Sequence, residues 1–109
     1  MAYDEGLAQR VSNILVEQPD LEEKKMFGGI GYLINGNMAC GVIEKDLIVR
    51  VGPDGYDDIL SLPHTRPFDF TGRPMNGWVM VNHDGHENEE SLKTWVQRGV
   101  DFSLSLPAK

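Results

Sequence analysis

The chain has 109 residues, of which 40% are hydrophobic and 25% are charged, and its formal net charge is −7. This length suits one domain with its own core, and the composition excludes the class of disordered chains that are poor in hydrophobic residues. The acidic excess argues against direct binding to nucleic acid, because that binding depends on Lys and Arg at the phosphates.

A single cysteine, Cys40, excludes an intrachain disulfide and any zinc site built from several cysteines. The first ten residues lack the basic segment and the apolar run of a signal peptide, and no stretch of about 18 apolar residues could span a membrane. We therefore expect one cytoplasmic domain over residues 1–109, with no membrane association and no bound cofactor.

The first predicted helix runs from about Asp4 to Glu17 and ends before Pro19. Its apolar residues recur at helical spacing on one stripe, namely Leu7, Val11, Ile14 and Leu15. The charged residues 20–25 that follow are predicted to form a linker.

Two tight reversals divide the next segment, residues 26–51, into three strands. Asn35-Gly36 lies between two apolar runs and is a strong signal for a hairpin, because both central residues of a type I′ turn need positive φ. Lys45-Asp46 separates the second apolar run from a third. The sequence therefore predicts a three-stranded antiparallel meander.

The second half of the chain is predicted to add a short helix, two strands and a final helix. The short helix follows Pro53-Asp54, and the two strands lie around residues 66–70 and 77–82. The apolar face of the final helix is formed by Leu92, Trp95, Val96 and Gly99.

Five glycines fall between Met26 and Ile43, which raises the question of a phosphate-binding loop. Such a loop requires a fixed glycine spacing that leads into the N-terminus of a helix, whereas this run leads into a strand. We favour a strand that is thin at Gly29 and Gly31, where a helix or a large side chain such as Trp95 can come close.

If both reversals are two-residue loops, strand alternation divides the meander into two faces. Leu33 then lies opposite Met38, and Val42 lies opposite Val49, on the face that we expect to form the core. The opposite face is mostly apolar, so it is either covered within the chain or contacts a protein partner or a second copy. We favour the contact surface, whose predicted residues are Ile30, Tyr32, Ile43, Ile48 and Arg50.

No group of residues in the sequence has the pattern of a catalytic or metal site. The segment with His83, Asp84, His86 and Glu87 lacks both a helical metal-binding frame and a cysteine partner, so we interpret it as a solvated loop. Cys40 lies in an apolar strand and is predicted to serve packing. The sequence therefore predicts no catalytic residue and no metal ligand.

Three arginines allow a different interpretation. Arg50, Arg66 and Arg73 could form a small basic site that contacts an anion, or they could form ordinary surface ion pairs. A deep pocket containing all three would favour a small ligand, whereas a flat face would favour a protein.

Four stretches of the chain together resemble the TfoX N-terminal domain family, which is also the first half of the Sxy competence regulators. They are "KKMFGGIGYLINGNMACGVI", "LIVRVG", "RPFDFTGRPMNGWVMV" and "LKTWVQRGVDFSLSLPAK". The resemblance implies an α+β fold, a two-layer α/β sandwich with an antiparallel sheet and the order α-β3-α-β2-α, similar to type III secretion chaperones.

Longer members of that family act as transcriptional coactivators of DNA-uptake competence together with the cyclic-AMP receptor protein. The resemblance implies no catalytic residues. We therefore expect a non-enzymatic protein-interaction domain, a stand-alone transcription or competence-related regulator that acts through a protein partner or forms a homodimer. The alternative is a small-molecule or nucleotide-binding domain that uses the arginine site.

Overall fold

The computed structural model describes residues 3–18, 20–26, 28–68 and 77–107. Within these residues, six strands form one sheet in the order β1-β2-β3-β4-β6-β5, and every pair of neighbours is antiparallel. The elements in chain order are α1 (Glu5–Leu15), β1 (Leu21–Met26), β2 (Gly29–Ile34), β3 (Asn37–Ile43), β4 (Asp46–Arg50), α2 (Tyr56–Leu60), β5 (Thr65–Pro67), β6 (Trp78–Val81), α3 (His83–His86) and α4 (Glu89–Leu104).

This architecture confirms the predicted α+β fold with an antiparallel sheet. The predicted element order is wrong in two places, because four strands precede α2 and because α3 replaces a predicted loop. Phe27 and Phe70, and Arg73 of the predicted anion contact, lie outside the described residues.

The missed strand is β1, where we predicted a linker. It pairs with β2 from Leu21 opposite Ile34 to Met26 opposite Gly29. Its four central side chains, residues 22–25, are charged and exposed. An edge strand of this kind buries few side chains, so its sequence shows no alternation of apolar and polar residues. The charges on it also oppose pairing with other chains.

The predicted hairpin at Asn35-Gly36 is confirmed. Both residues have positive φ, 55° and 83°, and Ile34 lies opposite Asn37. The second reversal occurs one residue earlier than predicted, because Ile43 pairs with Asp46. Val42 consequently lies opposite Leu47 and not Val49, but the shift by two residues leaves the faces of β3 and β4 as predicted.

A bulge between β2 and β3 overturns part of the predicted register. Leu33 lies opposite Met38 as predicted, but neither belongs to the core beneath the helices, where we had predicted them. Tyr32 lies opposite Cys40, so Ala39 is an extra residue on β3. A one-residue slip moves all following side chains to the other face. Ile30 and Tyr32 therefore lie on the helix-covered face, and their predicted place on the opposite face is wrong.

The main core lies between the sheet and the helices. Leu7 and Val11 of α1 and Trp95 and Val96 of α4 are buried in it, as predicted. The sheet side of this core is formed by Tyr32, Ile34, Ala39, Cys40, Val42, Leu47, Val49, Val79 and Val81.

Helix α4 crosses the sheet without interruption and is capped by Asn88, whose side chain accepts hydrogen bonds from the amides of Glu90 and Ser91. A Cβ atom on Gly99 would collide with the carbonyl oxygen of Ala39 on β3. The close approach of helix to sheet therefore depends on a glycine of the helix, and not on the strand glycines that we predicted.

Candidate protein-interaction surface

The face of the sheet that points away from the main core carries a second apolar cluster, which we call the outer face. Strand pairing brings its members together, because Ile48 lies opposite Met80 and Arg50 lies opposite Trp78. Its residues are Ile43, Ile48, Arg50, Phe68, Trp78 and Met80. Among the described helices, none contributes an apolar side chain to the cluster formed by the five apolar members.

The centre of the outer face is buried and its margin is not. Ile48 is 1% exposed, Phe68 3% and Met80 8%, whereas Ile43 and Trp78 are only partly buried. The Phe68 and Trp78 rings pack at a tilt, with centroids 6.2 Å apart. Ile48, which we predicted as a contact residue, is therefore buried within this cluster, while Ile43 and Trp78 keep part of their apolar area exposed.

Arg50 connects the outer face to the helix layer. Its guanidinium carbon lies 5.4 Å from the ring centroid of Trp78 and 5.3 Å from that of Phe102 on α4. Both distances fall within the range of cation–π attraction. Arg50 forms no ion pair with any of the described residues, so its N–H groups are not committed to a carboxylate there.

The three arginines of the alternative interpretation do not share one environment in the described part of the chain. Arg66 forms an ion pair with Asp46, with 2.6 Å between Nη2 and Oδ2. Arg50 is stacked on aromatic rings. Since Arg73 lies outside the described residues, the predicted anion contact by all three stays a prediction.

Tyr32, predicted as a contact residue, is completely buried beneath α1. Its hydroxyl group donates a hydrogen bond of 2.9 Å to the carbonyl oxygen of Ala8. Burial raises the pKa of Tyr32 to about 12. This side chain therefore joins α1 to the sheet and is unavailable to a partner.

The histidine segment forms α3, in which the rings of His83 and His86 pack edge to face with their centroids 5.5 Å apart. His86 is 2% exposed, and its Nε2 lies 2.9 Å from the carbonyl oxygen of Lys45 in the β3–β4 turn. The ligand atoms of His83, Asp84 and Glu87 lie within 4.8 Å of one another, but all three residues are exposed. His86 thus has a structural role, and three exposed side chains fall short of the four ligands of a structural zinc site.

Cys40 is a buried thiol in the main core. Burial raises its pKa to about 12. Because the thiolate is the reactive form, this thiol is poorly suited to nucleophilic chemistry.

Phe68, Trp78 and Met80 were not predicted as residues of this surface. A signal was present in "GWVMV", residues 77–81, where Trp78 and Met80 alternate with two valines. Apolar residues on both faces of one strand indicate that both faces are covered or in contact.

Comparison with known proteins gives one family. The model of the TfoX N-terminal domain matches residues 13–103 of the chain. No significant match was found among curated proteins or among solved structures. None of the described helices is long and apolar enough to cross a membrane.

Proposed function

The chain belongs to the TfoX N-terminal domain family, and we propose that it is a non-enzymatic protein-interaction domain that contributes to transcriptional, competence-related regulation through a protein partner. The outer face is the observation that carries this proposal. It combines a buried apolar base with a margin of Ile43, Trp78 and Arg50, which are each partly exposed.

The residue types at this margin are those that contribute most to binding energy between proteins. Trp and Arg are enriched among the few residues that dominate an interface, and they act best on a well-packed apolar base. Arg50 stacks on two rings and forms no ion pair within the described part of the chain, and a guanidinium group can donate paired N–H groups to a carboxylate of a partner. The outer face therefore supports a protein partner of mixed apolar and acidic character, or a second copy of the chain.

The arginine-lined ligand site has less support. Asp46 already neutralises Arg66, so an anion would have to displace a close ion pair to use it. Arg50 alone provides one charge, which is a small attraction for a nucleotide on a chain whose net charge is −7.

The test uses the double variant Arg50→Glu, Trp78→Ser and the control variant Lys93→Glu, which places a reversed charge on the exposed side of α4. We expect sedimentation at high micromolar concentration to show a dimer for the native chain and the control, and a monomer for the double variant. A double variant that still dimerises would contradict the proposed surface.

If the native chain is monomeric, self-association through the outer face is excluded and binding of a different protein remains to be tested. In that case a protein captured from native lysate by the native chain and by Lys93→Glu should be lost with Arg50→Glu, Trp78→Ser. Equal capture by all three chains would overturn the role of the outer face. Urea unfolding of each variant establishes that the loss is one of binding and not of folding.

A further inference from the structure

A second surface lies on the opposite layer of the molecule, in a groove between α2 and α4. One wall is α2 with its flanking turns, residues 53–64, and the other is one stripe of α4 from Glu90 to Phe102. The groove consists of two open cavities of about 390 and 530 Å³, which meet at Arg98. At 1.5 Å per residue, this stretch of α4 is about 18 Å long.

The floor of the groove is apolar and incompletely covered. Val51, Ile59 and Phe102 line the larger cavity and are partly exposed, and Leu62 lines the smaller one and is 37% exposed. Helix α2 has no fully buried residue. The groove thus leaves apolar area in water that a bound segment would cover, and burial of apolar area is favourable.

The rim of the groove is acidic. Four exposed carboxylates line it, from Asp54, Asp58, Glu90 and Asp101. Arg98, the one arginine among the described residues of the lining, stacks on the Trp95 ring at 5.2 Å from the centroid. The rim therefore presents an excess of negative charge on either side of an apolar floor.

We propose that this groove binds a basic amphipathic segment of a partner protein, with apolar side chains on the floor and Lys or Arg at the carboxylates. The length of the groove matches about three turns of helix, and a helix in a groove binds through apolar residues at positions i, i+3, i+4 and i+7. The acidic rim disfavours nucleic acid and acidic peptides by repulsion. This site lies on the opposite layer from the outer face, and the two are joined where Arg50 stacks on Phe102.

The probe is a fluorescein-labelled helical peptide of 14 residues, with Leu at the spacing given above and Lys at all other positions. A matched peptide with Glu in place of Lys, and a peptide with the same Leu and Lys residues in scrambled order, are the controls for charge and for the apolar stripe. We expect the native chain to bind the Lys peptide at least tenfold more tightly than either control. Equal affinity for the Lys and scrambled peptides, or no binding of the Lys peptide, would overturn the proposal.

Two charge-reversal variants distinguish binding in the groove from non-specific attraction of the Lys peptide to an acidic chain. Asp58→Lys, Asp101→Lys changes both walls of the groove, and Glu17→Lys, Glu22→Lys makes the same change in net charge on exposed residues that line neither cavity. Only the groove variant should lose affinity for the Lys peptide, by about tenfold at low salt, since each exposed ion pair contributes a fraction of a kcal/mol. Equal losses in both variants would overturn the groove.

Trp78→Ser alone, which alters the outer face, lines neither cavity and leaves the net charge unchanged, should bind the Lys peptide as the native chain does. Amide chemical shifts on peptide addition should change at residues 54–62 and 90–102 and not on β4. Changes confined to β4 would place the peptide on the outer face and would overturn the proposal for the groove. The proposal for the outer face is tested separately, by the sedimentation and capture experiments described above.

Discussion

Cys40 shows how burial decides the chemistry of a single side chain. The thiol lies in the main core, and burial raises its pKa to about 12 from the ordinary value of 9.0. Above pH 9 the unfolded chain therefore releases the proton while the folded chain keeps it. The folded state is stabilised fully below pH 9, and this contribution is lost as the pH rises toward 12.

We expect the free energy of unfolding to fall from about pH 9 upward by roughly 1.4 kcal/mol per pH unit from Cys40. Cys40→Ala should delay the onset to about pH 10, where Tyr32 begins to act because burial raises its pKa to about 12. Urea unfolding between pH 8 and 10.5 measures both profiles. Parallel profiles for the native chain and the variant would contradict the buried thiol.

At the scale of elements, Gly99 sets the distance between α4 and β3. An added methyl group would meet the backbone of Ala39, at the carbonyl oxygen and at 3.0 Å from the carbonyl carbon, which cannot move like the end of a flexible side chain. Overpacking of this kind costs about 1–3 kcal/mol, while alanine in place of glycine within a helix gains at most about 1 kcal/mol.

We therefore expect Gly99→Ala to lower the free energy of unfolding by about 1–2 kcal/mol. Gly6→Ala in α1 is the matched control, since its nearest neighbour would be the Asp4 side chain at 3.2 Å. The control should be neutral or stabilising in the same urea titration. A stabilised Gly99→Ala variant would show that α4 can shift away from the sheet without cost.

The elements also show which parts of the fold a sequence can reveal. The hairpin at Asn35-Gly36 was predictable because its backbone requires positive φ at both positions. The bulge at Ala39 has no such residue requirement, so the faces of Ile30 and Tyr32 were assigned incorrectly. Strand β1 was missed because it lies at the edge of the sheet, where charged residues are favoured, and so it lacks the apolar residues of a buried strand.

The outer face was predictable only in part, because strand alternation is a local pattern and contacts between distant residues are not. Ile43, Ile48 and Arg50 were assigned to the correct face because alternation along β3 and β4 survives a register shift of two residues. The contacts of Arg50 with Trp78 and Phe102 join residues distant in sequence, and no local pattern specifies them. The groove between α2 and α4 likewise depends on how two helices are placed on the sheet.

For the whole molecule, the two apolar clusters share the strands that separate them. On β4, Leu47 and Val49 enter the main core while Ile48 enters the outer cluster. On β6, Val79 and Val81 enter the main core while Met80 enters the outer cluster. Loss of either cluster would therefore expose strands on which the other depends, and we expect both to unfold in one cooperative transition.

The two tryptophans of the chain report on the two clusters separately, since Trp95 lies in the main core and Trp78 at the outer face. The variants Trp78→Phe and Trp95→Phe each retain one of them. Within each variant, urea unfolding followed by tryptophan fluorescence should coincide with unfolding followed by far-ultraviolet circular dichroism, because coincident probes are the mark of a two-state transition. The urea midpoints of the two variants should differ only by the effect of each substitution on the free energy of unfolding. A fluorescence transition of Trp78 that precedes the loss of secondary structure would show that the outer cluster opens on its own, and the rigid base that we assign to the interaction surface would then be absent in the native state.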